Sequence, residues 1–223
     1  MEIKSTSKIT AADGIKCVIY GRSGTGKTYS LASAPAPFIL SAEKGLLSLR
    51  KLSVAYTEIN TYKELTDAYM WVMQSSEAKK FQTYALDSMS EIAEVVLAEE
   101  LRKTKDPRKA YGEMQQQMYN LIRNFRDLKG KNVVFIAKQM LIEEGQLPVI
   151  QRASPIMPSK ALQNQLPYYF DLVLHVFTPI YEGKKYYAVH TQSAPEWDAK
   201  DRSGNLDPIE PADLGHIFKK AAA

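Results

Sequence analysis

Six short apolar runs stand out along the chain: Ile15 to Tyr20, Pro37 to Ser41, Thr83 to Asp87, Asn132 to Ala137, Asp171 to Thr178 and Lys185 to Thr191. Their length and composition read as strands. Between them, helical spacing predicts helices, above all over Ser90 to Lys103 and Glu113 to Leu128, with a shorter one over Tyr29 to Ala34 that Pro35 ends. Alternating strands and helices predict an α/β fold whose mostly parallel sheet carries helices on both faces. From Lys185 onward the pattern changes to a hairpin strand, a polar loop over Ser193 to Pro208 and a short amphipathic helix over Pro211 to Lys220. This C-terminal hairpin extension prolongs or caps the sheet. Leu141 to Pro167 shows no clear periodicity and carries Gly145 and four prolines, so it reads as a functional loop or as a surface insertion.

The run Ile15 to Tyr20 is followed at once by GRSGTGKT, residues 21 to 28. A glycine, four open positions and then Gly-Lys-Thr is the spacing of a phosphate-binding loop. Across Gly21, Arg22, Ser23, Gly24, Thr25 and Gly26, the glycines let backbone N–H groups turn inward around phosphates, at the positive end of the next helix. In that pattern Lys27 reaches the β- and γ-phosphates of a nucleotide such as ATP, and the Thr28 hydroxyl ligates Mg²⁺.

A nucleotide engine of this kind needs a carboxylate at a neighbouring strand end to hold the metal's water shell, and YALDS supplies Asp87, which in another setting would be an ordinary helix cap. It also needs a group to orient or deprotonate water. Glu43 follows the strand in FILSAEKGL, where it suits that task or is a plain surface glutamate. Gln139, after NVVFIAK, reads as a γ-phosphate contact or a solvated strand end.

In the order of these segments the chain resembles the RecA-type recombinase ATPases, most of all the small phage-encoded ATP-binding proteins that keep a minimal recombinase core and include single-strand annealing proteins. The resemblance spans roughly residues 14 to 215. It implies a RecA-like P-loop core in which Glu43 is the water-activating base, Asp87 supports Mg²⁺ and Gln139 links the γ-phosphate to a DNA-binding loop. Two departures weigh against full strand exchange. Lys138 stands where the recombinases tend to have asparagine, and the extra terminal domains of full-length recombinases are not found.

At 223 residues and 45% hydrophobic content, the composition suits a single domain over residues 14 to 223, with residues 1 to 13 as an N-terminal segment that packs on a neighbouring subunit or frays. The formal charge of +4 does not by itself argue for nucleic acid. Its distribution changes the picture. From Arg102 to Lys131 nine basic residues stand against three acidic ones, a local net of +6. The tightest cluster, KTKDPRKAY, offers Lys103, Lys105, Arg108 and Lys109 for phosphates and Tyr111 for base stacking. The resemblance puts the first DNA-binding loop there and the second over Leu141 to Pro167, with Arg152 and Lys160 as its cations. Both segments also read as solvated surface. Lys200 and Arg202, in AKDRSG, stand where recombinase filaments present basic residues to a neighbour's ATP, and read equally as a surface loop.

Cys17 is the only cysteine and lies in the first apolar run, which fits core packing and a reducing compartment. The three histidines lack companions at zinc-ligand spacing, and neither a leader nor a run of about 18 apolar residues appears. The expectation is a cytoplasmic protein, in the host cytoplasm if phage-encoded.

The resulting expectation is a Mg²⁺-dependent ATPase, slow and DNA-stimulated. It binds single-stranded DNA, assembles head to tail as a ring or filament and anneals or recombines strands, with a single-strand-binding protein as a further partner. A nucleotide-dependent protein-interaction module, such as a loader or packaging accessory, is the alternative. A small-molecule kinase fits less well, since no arginine-rich lid or acceptor site is seen. The lack of an Asn-Lys-x-Asp guanine-reading segment favours ATP over GTP modestly.

Overall fold

A computed structural model describes residues 13–144 and 150–223. The strand under the phosphate loop, β1 (Lys16–Gly21), is buried at every position, as a central parallel strand with both faces covered must be. It is followed by α1 (Lys27–Ser30), β2 (Pro37–Ser41), β3 (Ala55–Glu58), α2 (Tyr62–Gln74), β4 (Thr83–Asp87), α3 (Met89–Lys103) and α4 (Pro107–Arg126). The second half comprises β5 (Asn132–Glu144), β6 (Ile150–Pro155), α5 (Lys160–Gln165), β7 (Leu172–Phe177), β8 (Ile180–Tyr181), β9 (Lys184–Lys185), β10 (Ala188–His190), β11 (Lys200–Asp201), β12 (Ile209–Pro211) and α6 (Leu214–Ala221).

The main sheet runs β12-β10-β7-β1-β5-β4-β2-β3, with β11 also on β7 and β6 on β5. The six strands from β7 to β3 are parallel, whereas β10, β11, β12 and β6 pair antiparallel. The expected α/β core, a mostly parallel sheet with a C-terminal antiparallel extension, is therefore present. β5 lies between β1 and β4, so the carboxyl ends of all three converge on one edge. Strand alternation divides the core in two. Val18, Tyr20, Tyr84, Leu86 and Phe135 face α2, α3 and α4, while Cys17, Ile19, Ala85, Val134 and Ile136 face Leu31 and α6. Among the described residues no helix is long and apolar enough to cross a membrane.

Four sequence-based expectations need correction. The helix expected over Tyr29 to Ala34 is one α-turn and then a 3-10 turn over Leu31–Ser33. Ser30 and Ser33 donate back to the carbonyls of Lys27 and Ser30, both at 2.6 Å, and Pro35 blocks continuation. α4 begins at Pro107, not Glu113: Asp106 accepts from the Arg108 N–H, and proline is preorganised for the first helical position. The aperiodic stretch from Leu141 holds the end of β5, then β6 and α5, outside the buried sheet, where half-exposed residues leave no alternation to read. β3 and α2 were not expected at all. β3 is an edge strand whose positions are mostly exposed, and α2 is capped by Thr61 accepting from the Glu64 N–H. The proposed subunit contact over residues 1–12 lies outside the described residues, as do residues 145–149 of the proposed second loop.

Candidate functional site

β1 delivers Gly21 to the carboxyl edge, and the chain turns there before α1 begins at Lys27. Gly24 and Gly26 take φ of +76° and +88°, open to glycine at little cost. A Cβ on Gly26 would stand 2.7 Å from the Tyr187 ring, and one on Gly21 would stand 2.6 Å from the Val176 carbonyl oxygen. Thr25 Oγ1 braces the turn by donating to the Arg22 carbonyl at 2.8 Å. Lys27 Nζ folds over the loop and donates to the carbonyls of Gly21 and Arg22 at 2.8 and 2.9 Å. Burial pulls the Lys27 pKa below its ordinary value, against the opposing pull of Glu43 and Asp87.

Thr28 Oγ1 donates to Asp87 Oδ2 at 2.8 Å, joining the loop to the end of β4. Asp87 is buried, and its Oδ1 has no hydrogen-bond partner among the described residues. Desolvation pushes its pKa up to about 6; the Thr28 bond opposes this and the Glu43 charge adds to it. The N–H groups of Ala42 and Glu43 donate to the Asp87 carbonyl at 2.7 and 3.2 Å, which ties the end of β2 to the end of β4. The Ser88 hydroxyl donates to Glu43 Oε1 and accepts from the Glu91 N–H as the cap of α3. Lys27, Thr28 and Glu43 thus line a cleft of about 560 Å³ together with Tyr29 and Tyr187, among others, and the buried Asp87 carboxylate lies behind Thr28. A divalent cation fits the donor set: the unpartnered Asp87 oxygen is an unmet demand for positive charge, and Thr28 supplies the neighbouring oxygen.

Gln139 lies one residue past Lys138, which pairs in register with Gly21, and it does not line this cleft. Its Oε1 is 3.3 Å from His175 Nε2, and His175 Nδ1 is 3.1 Å from His190 Nδ1. Burial lowers the His175 pKa to about 4, so the ring is neutral at pH 7. A neutral His175 that donates through Nε2 to Gln139 accepts at Nδ1 from His190. The His190 ring is itself stacked between Phe177 and Trp197, with centroids 3.9 and 3.8 Å away. Lys138, the departure noted above, pairs with Glu91 and Glu94 at 2.6 and 3.4 Å.

The basic segment forms the α3–α4 turn, as KTKDPRKAY suggested. Lys103 is paired with Glu100 at 2.6 Å. Lys105, Arg108, Lys109 and Tyr111 are exposed, and among the described residues no ion pair holds the three cations. The Tyr62 N–H, at the start of the helix after β3, donates to Glu99 at 3.1 Å, so the end of α3 lies on the carboxyl-edge side. From its far end, where Leu128 meets Lys16, the 20-residue α4 rises about 30 Å, whereas six-residue β1 rises about 20 Å. The α3–α4 turn therefore stands at the end of α4 opposite the one that meets the amino end of β1.

The other sequence candidates lie elsewhere. Arg152 pairs with Asp198 beside a separate cavity of about 620 Å³, and Lys160 is exposed at the first residue of α5. Lys200 Nζ donates to the carbonyls of Pro167 and Phe170 at 3.0 and 2.8 Å, and Arg202 pairs with Asp171 at 3.0 Å. Lys200 pairs with Val173, near the amino end of β7, so neither cation stands beside the phosphate loop of its own chain. Sequence reasoning missed Ser88 as the brace on Glu43, although the hydroxyl directly after Asp87 was its signal. His175 and Tyr187 gave no signal, since each owes its place to pairing between distant segments.

The fold and the loop together define a P-loop nucleotide-binding domain, with its phosphate cradle and a buried carboxylate on one sheet edge. Residues 13–203 match the family described as AAA domain; the chain belongs to that family and is a P-loop ATPase. No curated protein matches it in sequence. Among solved structures it is similar to a KaiC-like protein from the hyperthermophilic archaeon Pyrococcus horikoshii, at 15% identity and a TM-score of 0.44 over 80% of this chain and 78% of that one.

Proposed function

We propose that this ATPase uses bound ATP to grip single-stranded DNA, assembling head to tail as a ring or filament that anneals or recombines strands in phage DNA metabolism. The supporting observation is a basic turn, Lys105, Arg108 and Lys109, exposed and without ion-pair partners among the described residues, at the end of α4 away from the amino end of β1. In this reading the N–H groups of residues 22 to 28 hold the phosphates and Lys27 leaves the loop carbonyls to neutralise β/γ charge. Asp87 and Thr28 would hold Mg²⁺, which supplies charge neutralisation at the transferring phosphoryl group. Glu43, held by Ser88, orients and deprotonates the attacking water. Host cytoplasm as the location and a single-strand-binding protein as partner follow from the same reading.

The test titrates a labelled single-stranded oligonucleotide with salt, without nucleotide and with a non-hydrolysable ATP analogue and Mg²⁺. Binding is expected to tighten with the analogue and to lose that response in Lys27→Ala. Changing Lys105, Arg108 and Lys109 together to glutamate should weaken binding by about 100-fold and flatten the salt slope by about two, three contacts at roughly 0.7 each. Binding that is absent or equal in both nucleotide states, or a salt slope untouched by the charge reversal, sinks the DNA reading in favour of a protein-interaction module.

A further inference from the structure

We infer that Tyr187 is the stacking platform for the nucleobase, and that the cleft takes purine nucleotides with little preference between adenine and guanine. The inference rests on the nucleotide reading above and names the ligand class of that same site. The Tyr187 ring edge lies against Gly26, the residue just before Lys27: its Cδ1 and Cε1 stand 2.7 and 3.0 Å from where a Cβ of that glycine would be. The backbone there is fixed, since the Ala212 N–H donates to the Tyr187 carbonyl at 3.0 Å and the Tyr186 N–H donates to that of Pro179 at 2.9 Å.

The ring itself is not packed away. It is 47% exposed on the wall of the cleft, and Tyr29 at 54% lines the same wall. Lys185 Nζ sits 5.5 Å from the ring centroid, over one face, which leaves the other for a flat ligand. A half-exposed aromatic ring beside a phosphate loop is placed for a base whose phosphates sit on that loop.

The lining also limits what can be read. Among the described residues the one carboxylate in the lining is Glu43, held by Ser88 at the phosphate end, and no asparagine, glutamine or aspartate side chain lines the cleft. Guanine is picked out most strongly by a carboxylate that accepts from both its N1–H and N2–H groups, so where none is free in the lining, stacking sorts bases mainly by area, purine above pyrimidine.

Calorimetry with Mg²⁺ and tripolyphosphate, ATP, GTP or CTP, on wild type, Tyr187→Phe and Tyr187→Ala, tests this. Wild type is expected to bind ATP and GTP within about threefold of each other, both tighter than CTP and tripolyphosphate. Tyr187→Ala should weaken ATP and GTP at least about fivefold and leave tripolyphosphate unchanged, while Tyr187→Phe keeps wild-type affinity. Tripolyphosphate loss that keeps step with ATP loss would make Tyr187 a brace for the loop and overturn the inference. ATP binding that is indifferent to the alanine change, or no tighter than tripolyphosphate in wild type, overturns the platform while sparing the phosphate site. Failure of every ligand to bind wild type overturns the nucleotide reading, and this inference with it.

Discussion

The two edges of the sheet use charge in opposite ways. At the amino edge three lysines are spent on backbone carbonyls: Lys16 Nζ donates to those of Asp13, Leu128 and Lys131, Lys131 Nζ to Lys79 and Phe81, and Lys200 Nζ to Pro167 and Phe170. All but the Lys16–Asp13 bond tie together segments far apart in sequence, so they are staples. At the carboxyl edge, among the described residues, Lys27 holds only the carbonyls of its own loop and one oxygen of buried Asp87 has no hydrogen-bond partner. The difference separates structure from chemistry. Where polar groups are saturated the fold gains stability; where they are left short, the free energy of satisfying them is kept for a ligand.

The largest effect that sharpens this contrast belongs to Asp87→Asn. Loss of the charge should lower ATP hydrolysis by about 100-fold while stabilising the nucleotide-free protein at pH 7.5 by on the order of 1–3 kcal/mol. The sign follows from the pKa, raised to about 6 in the fold from an ordinary 3.8. The folded state binds the proton more tightly than the unfolded one, so the stability this group contributes is present below about pH 4 and lost as pH rises to about 6. Thermal melts at pH 5 and 7.5 should therefore show a larger gain for the variant at 7.5. An equal loss at both would mean that Asp87 is a structural residue like those of the other edge.

Lys16→Met comes next and tests the amino edge. Three carbonyls lose their donor, and the expected loss is about 1–3 kcal/mol in denaturant unfolding, with nucleotide affinity unchanged. A variant that melts like wild type but binds ATP poorly would break the division between the edges.

How legible this was in the sequence depends on the range of the interaction. GRSGTGKT carries its own geometry within eight residues, and Asp87 and Glu43 were marked by their place after apolar runs. The strands of the buried sheet were legible because burial on both faces leaves an unbroken apolar run. β3 was not, since an edge strand with exposed side chains has no such run. Charge was the least legible property. KTKDPRKAY and AKDRSG look alike as basic clusters, yet among the described residues the first keeps Lys105, Arg108 and Lys109 without ion partners and the second is bound to Asp171 and to carbonyls before β7. Those partners are some 30 residues away, and no local pattern announces them.

The smallest expected effect is the one that most directly probes that difference. Arg202 is 54% exposed, its partner Asp171 is 34% exposed, and such a pair contributes about 0–1 kcal/mol. Arg202→Ala should therefore shift the unfolding midpoint slightly and leave ATP hydrolysis within about twofold of wild type, because its guanidinium is engaged at the edge opposite its own cleft. The recombinase resemblance implies the contrary, that Arg202 with Lys200 serves the nucleotide of a neighbouring subunit. Hydrolysis by Arg202→Ala mixed with Lys27→Ala decides between them. If both variants are inactive alone and activity returns on mixing, one subunit supplies the arginine and another the phosphate loop, and the amino edge holds chemistry after all.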